Sequence, residues 1–328
     1  CVTENPVGKT EYDGIPITEF PGIILNKSFY FSLELYRALQ EGNHDVIHAY
    51  GINSLTTLTA LAAKKKNQTM IITGASSISS SAFRKKLHPA MYFFYRMLSK
   101  KINTLVCVSD YEWDLFHQNI SLPEKKYVLI PNGIDVARFA SVKKTVEKFS
   151  ILTVARLVRQ KGVHRLVRAL PKVREKYPQA VLHVVGEGSD RTFLEAEARR
   201  LEVEHAVVFH GYIQFEKLDQ LIDQYARAHV FSLMADSESQ GLVYAMAVAT
   251  RTPIVTTDSS AMTELIHAGV AYGVRHPDDA EEVAGRLMHA FEHPVPKVDV
   301  NTLLWSWERI GNALLPYYSG TPPKPKLS

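Results

Sequence analysis

Short apolar runs alternate with helix-length amphipathic segments along almost all of this 328-residue chain. In the first half the runs are Val46–Ala49, Met70–Thr73, Thr104–Val108 and Tyr127–Ile130, with helical patterns such as Ser54–Lys66 and Arg84–Lys100 between them. The second half repeats the rhythm with Ser150–Val154, Ala180–Val185, Val207–His210, Val230–Met234 and Pro253–Thr256. Its helical segments include Gly162–Lys176, Asp190–Leu201, Glu216–Arg227 and Asp279–Glu292. Strands that alternate with helices predict parallel sheets covered by helices on both faces, an α/β fold.

A chain of this length is natural for two domains. Pro131-Asn132-Gly133 is a turn signal, and the charged stretch Ser141–Lys148 reads as a linker. The expected division is an N-terminal domain over 1–140 and a C-terminal domain over 141–304. A helical segment with three large aromatics, Trp305–Tyr318, follows and must bury that face. The Pro/Lys-rich tail Pro322–Ser328 is expected to be disordered. A doubly wound domain opens with a strand, a Gly-rich turn and a helix. None of these precedes Glu4, where Val2-Thr3 leads into a polar loop, so the first domain is expected to be incomplete at its start.

Composition narrows the class. Apolar residues make up 46% and charged residues 22%, as in soluble globular proteins. Cys1 and Cys107 form no disulfide framework, and Cys107 lies in the apolar run Leu105–Val108. An inert buried thiol and a reducing compartment, the cytoplasm, are expected. No apolar segment has the length of a membrane span, and no signal-peptide pattern opens the chain. The net charge of +4 comes from the first half, at Lys64–Lys66, Arg84–Lys86 and Lys100–Lys101. These clusters form no single stripe and no base-reading motif accompanies them, which argues against a nucleic-acid partner.

Three loops carry candidate chemistry. After Ser150–Val154, Arg156 and Lys161 stand five residues apart between a strand's carboxyl end and a helix start. A helix N-terminus and two cations suit a diphosphate. The same residues would also serve as solvated loop cations. Gly186-Glu187-Gly188-Ser189-Asp190 is a glycine-rich turn with a capping Ser189 or Asp190, a pattern shared by phosphate loops and ordinary βα turns. In Ala235–Pro253, Glu238 and Gly241 follow a buried strand and precede the buried helix Leu242–Ala249. Carboxyl ends of strands are where open α/β sheets bind ligands, so Glu238 is a ligand-holding acid or a helix cap. Segment Arg84–Lys101 has aromatics between two sets of cations. It reads either as an amphipathic helix on an anionic membrane or as a domain helix burying Tyr92, Phe93 and Phe94. His44, His48, His164, His183 and His210 show no metal-ligand spacing, and no metal site is expected.

Together these segments resemble the retaining glycosyltransferases of family 4, which have the GT-B fold. The resemblance rests on ILTVARLVRQKGVHRLVRAL, VVGEGSD, FHGYI and ESQGLVYAMAVATRTP in the second half, and on DVIHAYG, VCVSDYE and IPNGID (Ile130–Asp135) in order in the first. It implies two Rossmann-like domains with parallel sheets facing across a cleft, and a C-terminal helix crossing back to the first domain. It implies a nucleoside diphosphate sugar donor (UDP- or GDP-sugar), a glycan or lipid-linked acceptor, and no cofactor or metal.

By the same resemblance Arg156 and Lys161 would hold the diphosphate, with the Gly186 and Gly188 loop beside them. The backbone N–H groups of Gly241 and Leu242 would face phosphate. Gly211, Tyr212 and Ile213 would line the base pocket, and Glu238 would contact the transferred sugar as the catalytic candidate. Peripheral membrane association through the basic first domain would follow from a lipid acceptor.

The chain departs from the family pattern in four places. Met246 stands where a second glutamate would grip the ribose, Arg251 replaces a small residue, Ala75 replaces a histidine, and the N-terminal Gly-rich loop is absent. A thioether accepts hydrogen bonds only weakly. The lost charge-assisted bond is worth about 1.5–3 kcal/mol, one or two decades of affinity. A non-catalytic relative acting as a binding or scaffold subunit is therefore the alternative.

Overall fold

The computed structural model describes residues 2–3, 8–25, 29–75, 82–293 and 299–320. They form two compact units, one of the described residues up to 131 together with 311–320, the other of the described residues between 132 and 310. The tail Pro322–Ser328, Cys1 and Glu4 lie outside the described residues.

The sheet of the first unit has four parallel strands in sequential order, Val46–Tyr50, Thr69–Thr73, Thr104–Cys107 and Tyr127–Leu129. Every residue of Thr104–Cys107 is buried, as a strand covered on both faces requires. Burial pushes the Cys107 thiol far up, so it is an inert core residue. Helix Asp110–Ile120 starts where it does because Ser109 Oγ accepts from the Glu112 amide at 3.2 Å. Fully buried Glu112 in turn accepts from the Val108 amide at 3.1 Å.

Ahead of this sheet the structure has short strands rather than a polar loop. Lys9–Tyr12 pairs antiparallel with Ile15–Thr18, and Val2–Thr3 pairs with Phe20–Pro21. The first hairpin turns at Asp13-Gly14, with φ of 51° and 77°, the left-handed pair that an Asp-Gly turn favours.

Helix Ala82–Met97 runs through Pro89. It buries His88, Met91, Tyr92 and Tyr95 at helical spacing. Phe93 and Phe94 do not join that core. They are 60% and 46% exposed, with Met97 at 62% beside them. Among the described residues no helix is long and apolar enough to cross a membrane.

The second unit holds six parallel strands. In chain order they are Ser150–Val154, Val181–Val185, Val207–Gly211, Val230–Leu233, Ile254–Thr257 and Ala271–Val274. In space the third, second and first precede the fourth, fifth and sixth. Strand order therefore reverses between Ser150–Val154 and Val230–Leu233, which pair directly. Helices Val163–Lys176 and Ala280–Glu292 close a core that includes Val167, Leu170, Val184, Val230 and Leu287.

The division between units falls at Pro131 because helix Val136–Ala140 packs with the second unit. Phe139 meets Tyr225 edge to face at 6.5 Å and Arg138 pairs with Asp219 at 2.9 Å. Nor does the charged stretch Ser141–Lys148 hang free. The Thr145 and Glu147 amides donate to Ala226 and Arg227 carbonyls, and Lys144 Nζ donates to Tyr225 O and Thr252 Oγ1. Burial lowers the Lys144 pKa to about 8. Helix Trp307–Tyr318 has no fully buried residue. Its residues through Ile310 belong to the second unit and those from Gly311 to the first.

Candidate functional site

Strand order reverses between Ser150–Val154 and Val230–Leu233, and in open α/β sheets ligands bind at the carboxyl ends of strands at such a point. The loops that follow these two strands carry Lys161 and Glu238. Lys161 Nζ donates to Glu238 Oε1 in an ion pair that is only 17% and 10% exposed at its two side chains.

Backbone contacts explain how residues 77 positions apart are brought together. The Asp236 amide donates to Gln160 O at 2.9 Å. Gly162, at φ 66°, lets the first loop pass over the end of strand Val230–Leu233, since a Cβ there would overlap the Met234 carbonyl. Arg165 then bonds Met234 O at 2.8 Å, Asp236 Oδ1 at 2.7 Å and Asp278 at 2.9 Å. The Glu238 amide donates to Ser260 Oγ at 3.0 Å. Beside it Ser237 Oγ is buried with no hydrogen-bond partner among the described residues.

Arg156 is exposed and its guanidinium makes no ion pair among the described residues. Its backbone is fixed. The Ala155 amide donates to Val185 O, the Leu157 amide to Glu187 O, and the Asp190 amide to Leu157 O. Gly186 and Gly188 permit this approach, because a Cβ at either would overlap the backbone of Ala155 or Leu157. The glycine-rich turn thus has a packing duty: it sets the loop from which Arg156 projects. Helix Leu242–Ala249 begins at Gly241 (φ 71°) with no side-chain cap, so its first N–H groups are available to an anion.

Next to this helix lies a cavity of about 480 Å³. Tyr212, Ile213, Leu242 and Met246 line it together with Phe139 and Trp307, so Met246 joins the predicted base-pocket residues in one wall. Gly211 takes no part in the lining. At φ 73° it ends its strand and accepts from the Gly186 amide at 2.8 Å. The polar residues of the wall are largely occupied. Asp135 caps helix Val136–Ala140 by accepting from the Arg138 amide, and Arg138 pairs with Asp219. Among the described residues no group of three His, Cys, Asp or Glu side chains could hold a metal ion. In the first unit Ala75, at φ 44°, offers no functional group at the end of Thr69–Thr73. His48 bonds Thr73 Oγ1 at 2.8 Å and Tyr318 OH at 2.5 Å.

Arg165, Asp236, Asp278 and Ser260 support the site but did not stand out in the sequence. Their partners lie 22 to 113 residues away, and no local spacing signals such contacts.

The family model for glycosyl transferases group 1 matches residues 137–300, and that for Glycosyltransferase Family 4 matches residues 4–138. The glycogen synthase of Mycobacterium tuberculosis is 29% identical over 217 residues, covering 66% of this chain and 51% of that protein. A GDP-mannose-dependent monoacylated α-(1-6)-phosphatidylinositol monomannoside mannosyltransferase of Corynebacterium glutamicum is 26% identical over 273 residues, with coverage of 74% and 69%. The crystal structure of Anabaena HepE in complex with UDP superposes with a TM-score of 0.67 at 16% identity, covering 85% of this chain and 77% of that one. The chain spans about half the length of most curated relatives it matches. The fold is that of the GT-B glycosyltransferases.

Proposed function

The chain belongs to the glycosyltransferases of family 4, and we propose that it moves a sugar from a UDP- or GDP-sugar to a glycan or lipid-linked acceptor with retention of anomeric configuration. The observation that carries this reading is the meeting of Lys161 and Glu238 at the strand-order reversal, beside the uncapped helix at Gly241.

In transfer, the bond from the anomeric carbon to the diphosphate oxygen breaks and the acceptor oxygen bonds to that carbon on the same face. The acceptor proton passes to the leaving diphosphate. Negative charge grows on the diphosphate as it leaves. Arg156, Lys161 and the helix N-terminus supply fixed positive charge there, the duty a metal ion performs in other transferases. Before the donor enters, Lys161 is held by Glu238. An arriving phosphate competes for the ammonium, which frees the carboxylate to accept from sugar hydroxyls. The cavity lined by Tyr212, Ile213 and Leu242 takes the nucleoside. Met246 and Ala75 are what the non-catalytic alternative rests on, while the names of the curated relatives, synthases and transferases, favour an active enzyme. The exposed Phe93, Phe94 and Met97, with Arg96 and Lys100 close in sequence, support a membrane-facing first unit and a lipid acceptor.

The test is release of UDP or GDP from a panel of nucleotide sugars by the purified protein. Arg156→Ala is expected to lower kcat/KM on the order of 10²-fold, the scale for losing one charge-stabilising donor. No binding and no turnover of any UDP- or GDP-sugar, with the Arg156→Ala protein indistinguishable from the parent, would overturn the reading.

A further inference from the structure

Gln240 stands between Glu238 and Gly241, and its side chain reaches a single residue 108 positions earlier. The Asn132 amide donates to Gln240 Oε1 at 2.6 Å, and Gln240 Nε2 donates to Asn132 O at 3.2 Å. The carboxamide therefore pairs with the backbone much as a neighbouring strand's peptide group would, using one donor and one acceptor.

Both ends of this contact lead into the cavity. Asn132 is the first residue of the second unit after Pro131, and the next three, Gly133, Ile134 and Asp135, form one wall. Leu242 and Met246, two and six residues beyond Gln240 on the helix that follows it, form another. Among the described residues the first wall is also held by the Ile134 amide on Trp305 O at 3.1 Å, the cap at Asp135, and close packing of Gly133 on Trp307 and Ile310. Local spacing does not account for a two-pronged bond at that point, whereas a need to hold two walls at a set separation does.

We propose that Gln240 is a positioning residue: a clasp that fixes the width of the nucleoside cavity and thereby the donor affinity, without touching the donor. The ligand named here rests on the donor reading above; the clasp does not. Preorganised walls spare the ligand the ordering cost of closing them. The clasp also ties the point where the chain enters the second unit to the loop that bears Glu238.

Two readouts separate the clasp from the donor. Amide hydrogen exchange on the free protein is compared for the parent, Gln240→Ala and Gln240→Glu, and UDP and GDP are titrated into each by calorimetry. Gln240→Ala is expected to speed exchange at Asn132 and Ile134 at least tenfold and to weaken nucleotide binding about tenfold, with KM for the donor rising more than kcat falls. Gln240→Glu keeps the acceptor for the Asn132 amide and loses the donor to its carbonyl, so it falls between the two in both measurements. Unchanged exchange at Asn132 in Gln240→Ala overturns the clasp. Faster exchange with parental Kd and KM overturns its part in affinity. If the parent binds neither nucleotide while exchange responds as expected, the clasp stands and the donor reading fails.

Discussion

Met246 lies one helical turn beyond Leu242, and both line the cavity proposed for the nucleoside. Its thioether cannot hold a diol, and the nearby Asp135 carboxylate already caps a helix. Met246→Glu is therefore expected to tighten UDP or GDP binding by one to two decades, from a charge-assisted bond of about 1.5–3 kcal/mol. It is also expected to create a preference for UDP over 2′-deoxy-UDP that the parent lacks. Calorimetry with the two nucleotides reads both effects, and equal affinities before and after the substitution would sink the idea. This residue was singled out through the family resemblance, which expects an acid eight residues after Glu238, a spacing that is local. Gly186 and Gly188 were legible only in part. The sequence shows a glycine turn, but which surface the turn approaches is decided by Ala155 and Leu157, some thirty residues away. Arg165 was not legible at all, since its place depends on bonding four oxygens from two distant loops.

The helix Ala82–Met97 shows how an element can satisfy two readings of one pattern. Its aromatic cluster suited either a core or a membrane surface, and the helix divides it. His88, Met91, Tyr92 and Tyr95 fall on one face and are buried; Phe93, Phe94 and Met97 fall on the other and are exposed. If that outer face rests on an anionic membrane, each Phe adds roughly 1.5–3 kcal/mol on insertion. A Phe93→Ser/Phe94→Ser protein is expected to lose at least tenfold in sedimentation with vesicles containing phosphatidylglycerol, at an unchanged melting temperature. Equal sedimentation of parent and variant, or parental binding that ignores lipid charge, would refute a membrane role for the helix. Elements with strong periodicity and a cap, such as Ala280–Glu292 behind Asp279, could be read from the chain. Strand Ala271–Val274 and helix Met262–His267 were missed: the strand, Ala-Tyr-Gly-Val, carries a glycine and is buried only at its two ends, and six residues are too few to establish a helical period.

At the scale of the molecule, the alternation of strands and helices foretold parallel sheets but not the strand order that creates the site. Adjacency of Ser150–Val154 and Val230–Leu233 depends on the crossovers between them, not on either strand. The same packing sets how the protein should respond to acid. His164 is buried in the second unit near Arg159, Arg165 and Arg168. Burial first, then these cations, bring its pKa from 6.5 to about 4. The unfolded chain thus takes up a proton near pH 6.5 that the folded protein refuses until about pH 4. Stability is therefore full above pH 6.5 and falls between 6.5 and 4, by up to about 3 kcal/mol at 1.36 kcal/mol per unit. His183, His210 and His229 are lowered as well, by burial first, and add loss of the same sign. Glu197 acts in a lower window. Hydrogen bonds from Arg200 and Arg168 hold its pKa at about 2, so its contribution is lost between 4.5 and 2. Denaturant midpoints measured from pH 8 to pH 3 should decline through the histidine window and again below it. His164→Leu is expected to flatten the first decline and leave the second in place. A variant whose midpoint falls between pH 6.5 and 4 as steeply as the parent's would show that His164 is not the group the folded protein keeps neutral.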